Sequence, residues 1–260
     1  MFDNMHVLDL GVTLHIIANT LFTIVLDMGK RNRRNREANF DQVWLRLSNT
    51  YKEHDTKPQL TRLRWKQVVK DPKAPFADYP SLRSVKAAEA RALLKACVVL
   101  AHEHLDDSDE TKFRHGLCQA MADVYKMLED SHYTIDGYKT FQQHATKLLV
   151  YYQWLAKDAM NRNLKCWSVV NKHHFVEHAV AQNEYENTTQ YHCYSGEDFV
   201  GRMSRLAHVH FWEAYPCSDA LVRRTIPDRV PVAPAATEPW RLRPCQQKRP
   251  ALELLETMQD

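Results

Sequence analysis

The sequence predicts a mainly α-helical protein, a helical bundle built around an apolar N-terminal helix and followed by a disordered C-terminal tail. Three observations predict it. Residues 10–26 contain no Lys, Arg, Asp or Glu, and their apolar side chains fall on nearly every helical face. A helix that is apolar all round has to be covered all round. Downstream, large apolar residues recur three and four apart, the spacing that places them on one face of a helix. Only 6 glycines occur in 260 residues, and most of the 11 prolines lie after Tyr215, so the body of the chain has few helix breakers.

The first element carries Leu10, Leu14, Ile17, Leu21 and Ile24 on one face and Val12, Ile16, Phe22, Val25 and Leu26 on others. This run has about the minimum length of a membrane span, and basic residues follow it. His15 and Asn19 sit in its middle, Thr13, Thr20 and Thr23 dilute it, and Asp9 and Asp27 bracket it. A buried core helix is therefore expected in preference to a membrane span. Gly29 is expected to cap it. The cationic run of Lys30, Arg31, Arg33, Arg34 and Arg36 comes next. It reads either as a phosphate-contacting or nuclear-import segment or as a solvated loop that neutralises a helix C-terminus.

Phe40, Val43, Trp44, Leu47 and Tyr51 predict an amphipathic helix, and Leu60, Leu63, Val68 and Val69 a shorter one. Prolines punctuate residues 71–80. Ser81 or Ser84 is expected to cap the next helix, whose alanines and leucines carry it to about His104. The acidic turn at 105–110 introduces a helix with Phe113, Leu117, Met121, Val124, Tyr125 and Leu128 facing inward. A break at 131–137 precedes a long helix over 138–160, and Asn161-Arg-Asn163 ends it. Residues 172–180 read as helix, 190–194 as extended and 197–210 as helix. Residues 1–215 thus form one helical domain. Residues 216–260 form a Pro-rich tail with one terminal helical piece near 251–258.

The composition narrows the function classes. A net charge of +3 is too small to signal nucleic-acid binding without local clustering. The six cysteines are widely spaced with no CxxC pair, which predicts reduced thiols in an intracellular protein, nuclear or cytoplasmic. Asp3 stands where a secretory signal would place basic residues. No GxSxG, Walker or dinucleotide-binding glycine pattern occurs. His174 and His178 lie four apart, share a helical face and could hold one metal, with Glu177 adding a carboxylate and His173 alongside. Phe175 stands where a zinc protease would have Glu. The competing reading is that these imidazoles simply pack and hydrogen-bond. Asp3 with His6, Asp9 and the Glu197-Asp198 pair are carboxylates that could hold Mg²⁺ if they converge. Read alone, each is expected to be a charge near a helix N-terminus in preference to a metal ligand.

Three blocks carry a family resemblance. Asp3-Asn-Met-His6-Val-Leu-Asp9-Leu-Gly11 resembles the D-x-M-H-x-x-x-x-G block of CACTA-like cut-and-paste transposases, which have a DDE triad on a ribonuclease H-like fold. Lys172-His173-His174-Phe175-Val176-Glu177-His178 resembles the later Pro-Lys-x-His-x-x-x-His block, with Asn171 in place of the proline. Tyr194-Ser-Gly-Glu197-Asp198-Phe199 resembles the stretch bearing the third acid. The resemblance implies that Asp3 and Glu197 are catalytic ligands of Mg²⁺ or Mn²⁺ and that His6 sits beside them. It implies that residues 40–160 are a helical insertion and that remnant strands of the ribonuclease H-like fold persist. It also makes DNA the substrate, with the basic run on its phosphates.

The family's first acid and DNA-binding region lie upstream of that block, and this chain begins at Met1. The expectation is a truncated, transposon-derived remnant of a DNA-cleaving and strand-transferring enzyme, inactive alone because one carboxylate is missing. The alternatives are a non-catalytic helical module that binds DNA or protein and, third, a membrane-anchored helical protein. If Asp3 and Glu197 share a metal, their carboxylates should lie within about 4–8 Å.

Overall fold

The apolar opening run folds as a π-helical segment, Met5–Thr13, continuous with α1, Leu14–Asn32. The computed structural model describes residues 5–32, 35–129 and 134–182, all inside one unit spanning Met1–Tyr194; a second unit, Ser195–Asp260, lies outside the described residues. The described residues are mainly helical and contain no strand. The expected strand at 190–194, the helix at 197–210 and the tail at 216–260 all fall outside them.

Helix α1 is the core of the bundle. Ile16, Ile17, Ala18, Leu21, Phe22, Ile24 and Val25, with Val12 of the π-helical segment, have no exposed surface at all. The stretch His6–Lys30 is long and apolar enough to cross a membrane, yet 83% of its most apolar window is buried by the rest of the protein. Around α1 pack α2 (Arg36–Glu53), the short α3 (Trp65–Val68), α4 (Ala87–Glu103) and α5 (Asp109–Glu129). The long α6 (Ile135–Asn161) pairs with α5, and α7 (Asn171–Gln182) rests on α6 and on the π-helical segment.

The inward stripes are where their spacing places them. Phe40, Val43, Trp44, Leu47 and Tyr51 of α2 are buried, as are Leu117, Met121, Val124, Tyr125 and Leu128 of α5. The boundaries differ in four places. Gly29 does not end α1, which runs on to Asn32 without any glycine at positive φ. An interior glycine costs a helix only about 1 kcal/mol, and the Lys30–Asp27 pair at 2.9 Å braces that turn. Neither Ser81 nor Ser84 caps α4. Its first turn is closed by Glu89, whose carboxylate accepts from the Lys86 N–H at 2.9 Å, while Ser84 sits in a turn at φ 59°. The short helix covers only Trp65–Val68, so Leu60 and Leu63 lie on irregular backbone. Helix α6 starts before residue 138, because Thr134 Oγ1 caps it by accepting from the Gly137 N–H at 3.0 Å.

Polar residues inside the apolar run have structural duties. Asn19 Nδ2 donates to the His15 carbonyl at 2.7 Å, and its Oδ1 accepts from the Trp167 N–H at 2.6 Å. That second bond holds Trp167, which is buried at φ 58° in the connection between α6 and α7. Thr23 Oγ1 bonds back to the Asn19 carbonyl and also accepts from Arg114 Nη1 at 3.1 Å.

Candidate functional site

Two of the three family-like blocks meet. Gly11, in the π-helical segment, faces Lys172 at the start of α7. A β-carbon at Gly11 would lie 2.5 Å from Lys172 Cδ and 2.9 Å from the His6 carbonyl oxygen, so a side chain there would have to displace the lysine stem and crowd the backbone. The Lys172 ammonium then donates to the Leu10 carbonyl at 3.1 Å. Beneath this contact His173 is buried, its ring 4.0 Å from that of Tyr152 and 6.2 Å from that of His15.

On the other side of the segment Asp9 is fully buried. Arg91 grips both of its oxygens, at 2.9 and 3.2 Å, and Tyr125 donates its hydroxyl to the same carboxylate. Thr13 Oγ1 lies 2.8 Å from the Tyr125 oxygen, and the Arg91 guanidinium stacks 5.0 Å from the Tyr125 ring centre. Burial alone would lower the Arg91 pKa, but the hydrogen bonds and charge of Asp9 raise it, so the guanidinium stays charged. Asp9 is therefore a structural anchor of the segment, not an open metal ligand.

Burial pushes the His173 imidazole from an ordinary 6.5 down to about 4; burial and then the Lys172 charge lower His15 as well. The folded chain therefore binds fewer protons than the unfolded chain between about pH 6.5 and 4. Stability should fall as pH drops through that window, by about 3 kcal/mol from His173 once the fall is complete. Urea unfolding of the wild type and of His173→Phe, at about pH 7 and about pH 4.5, checks this. The variant should lose less stability between the two pH values than the wild type does.

A second feature lies where α1 gives way to α2. A groove of about 820 Å³ is lined by Lys30, Arg36, Lys73 and Arg162, with Val25, Leu26, Trp65, Phe76 and Leu164 as its apolar surface and Glu37 as its one acid among the described residues. Arg36 stands at the first turn of α2, whose cap is Asn35 accepting from the Ala38 N–H at 2.7 Å. Its guanidinium lies 4.8 Å from the centre of the half-exposed Phe76 ring. Arg162 is occupied by Glu110 and Asp158. Lys73 and Arg36 meet no carboxylate among the described residues. Part of the basic run is thus drawn into helix ends beside a groove, with Lys73 added from a distant loop that the sequence pattern did not mark.

The third feature is on α7. His174 and His178 are exposed, and their Nε2 atoms approach to 2.9 Å. His174 Nδ1 lies 3.3 Å from a Glu177 carboxylate oxygen.

The expected catalytic acids Asp3 and Glu197 both fall outside the described residues, as do Arg33 and Arg34; Arg31 is placed only as backbone of α1. His6 is exposed. Among the described residues no three His, Cys, Asp or Glu side chains gather as a metal centre. The Asp9–Arg91–Tyr125 network was not visible in the pattern, because Asp9 read as a charge bracketing the apolar run or a metal-binding carboxylate, and Tyr125 as one more inward aromatic. Cys97, Cys118 and Cys166 are free buried thiols; burial pushes Cys118 up to about 11 and Cys166 up to about 12. No family model matches this chain, and neither a curated protein nor a solved structure matches it.

Proposed function

We propose that this chain is a transposon-derived helical module, similar to the C-terminal part of a CACTA-like DDE transposase, that holds DNA through phosphate contacts and does not cut it alone. The observation that carries the DNA contact is the cationic groove between the end of α1, the start of α2 and the loop bearing Lys73 and Phe76. Exposed ammonium and guanidinium groups beside an aromatic surface suit a phosphate backbone with its sugars. Asn32 and Asn35 keep the intervening run polar. The packing of Gly11 against Lys172 supports the family reading, because it makes neighbours of two blocks set far apart in sequence. On this reading residues 190–194 contribute a strand of a ribonuclease H-like sheet. Asp3 and Glu197 would be the acids that hold Mg²⁺ or Mn²⁺, and the protein would act in the nucleus.

The test is fluorescence anisotropy with a short DNA duplex across a salt series. Affinity should fall steeply with salt, and replacing Lys30, Arg36 and Lys73 together by Ala should flatten the log–log slope by about 2–3, one phosphate contact for each cation lost. Salt-independent binding, or an unchanged slope in the triple variant, would overturn the groove as the contact. A nicking assay on supercoiled DNA with Mg²⁺ or Mn²⁺ tests the second half. Cleavage that disappears in Glu197→Gln would replace DNA holding with catalysis.

A further inference from the structure

We infer that α7 carries a two-histidine site for a late first-row divalent cation of the Cu²⁺, Ni²⁺ or Zn²⁺ class. Residues four apart on a helix share a face, so His174 and His178 present their rings together. Their Nε2 atoms lie 2.9 Å apart, and their ring centres lie 4.4 Å apart with planes at 78°. A cation bonded to two imidazoles at about 2.1 Å, with an angle of roughly 90–110° between the bonds, needs those nitrogens about 2.9–3.4 Å apart. The pair already stands at the short end of that range. A small ring rotation, aiming both lone pairs at one outward point, completes the chelate.

Glu177 sets the tautomer of His174. Its carboxylate lies beside His174 Nδ1, on the far side of the ring from Nε2. An N–H at Nδ1 donated to that carboxylate leaves the lone pair of His174 on Nε2, the nitrogen facing His178. A carboxylate behind a ligand imidazole fixes its tautomer and raises its basicity, as in metal sites of known type. Nitrogen donors select Cu²⁺, Ni²⁺ and Zn²⁺ over Mg²⁺ and Ca²⁺, which prefer oxygen. Among the described residues only these two histidines face the cation, which leaves coordination positions open to water. Neither histidine lines the cationic groove, so the fate of this site is independent of the groove as a DNA contact.

The test uses the full chain and the metal alone. Isothermal titration with Cu²⁺, Ni²⁺ and Zn²⁺ should show a saturable site, tightest for Cu²⁺. The site should vanish in His174→Ala and in His178→Ala and persist in His54→Ala. Glu177→Gln should weaken it by about tenfold or more. The far-ultraviolet circular dichroism should match the wild type in every variant, because these side chains are exposed. Cu²⁺ bound to the wild type should show electron paramagnetic resonance splitting from two imidazole nitrogens. Metal isotherms unaltered by His174→Ala and His178→Ala, or splitting from a single nitrogen, would overturn the site.

Discussion

Replacing Arg91 with Ala should destabilise the folded chain by about 3–5 kcal/mol, the cost of taking the cation from a buried ion pair. Asp9 is fully buried, whereas about a third of the Arg91 side chain reaches solvent. The two partners are therefore unequal. Removing Arg91 takes its guanidinium from a carboxylate that cannot reach water. Removing Asp9 frees an arginine that can turn outward. The Asp9→Asn variant, which keeps the volume, should cost less than Arg91→Ala. Tyr125→Phe should cost about 1–3 kcal/mol, because the hydroxyl serves both Asp9 and Thr13. Urea unfolding at neutral pH measures all three. The Arg91→Ala/Tyr125→Phe double variant should cost less than the sum of its parts, since both side chains act on one carboxylate. Additive effects, or an Arg91→Ala cost below about 1 kcal/mol, would show that the network does not anchor the π-helical segment.

Phe22→Ala should cost a further class of stability, about 3–5 kcal/mol, through cavity formation. Phe22 is fully buried on α1 and stacks on Trp65 with ring centres 5.8 Å apart and planes 4° apart. Its edge meets the Phe76 ring, with centres 5.9 Å apart. It therefore supports both aromatics of the cationic groove from below. The conservative Phe22→Leu, which fills most of the space, should cost less than half as much as Phe22→Ala and leave the proposed DNA binding in place. Thermal or urea unfolding gives the stability, and anisotropy gives the binding. Equal costs for the Leu and Ala variants would mean that the site is not tightly packed.

Helix existence was legible because each stripe is a local property. The 3–4 spacing of Phe40, Val43, Trp44, Leu47 and Tyr51 has one structural solution once a core exists, and all five are buried. The encirclement of α1 was legible for the same reason, since no exposed face was available to it. Helix ends were less so. Gly29 and the two serines are good local terminators, but the actual caps come from Glu89 reaching back to Lys86 and from Thr134. Local capping signals compete with one another, and packing selects among them.

The candidate sites divide along the same line. The i, i+4 pair His174 and His178 could be read directly, because helical geometry alone places them side by side. The groove could not, since Lys73 and Phe76 reach it only when the loop after α3 folds over α1 and α2. The buried Asp9 could not either. Its partners Arg91 and Tyr125 come from α4 and α5, and their approach depends on how three helices cross.

The spacing of the apolar residues dictated a mainly helical chain with a first helix that needed cover, by protein or by lipid, on every face. Only the tertiary structure decided which polar side chains would share that interior. A carboxylate, hydroxyl or amide buried at Asp9, Thr13 or Asn19 needs a partner that arrives from a distant helix or loop, and sequence spacing does not encode that distance.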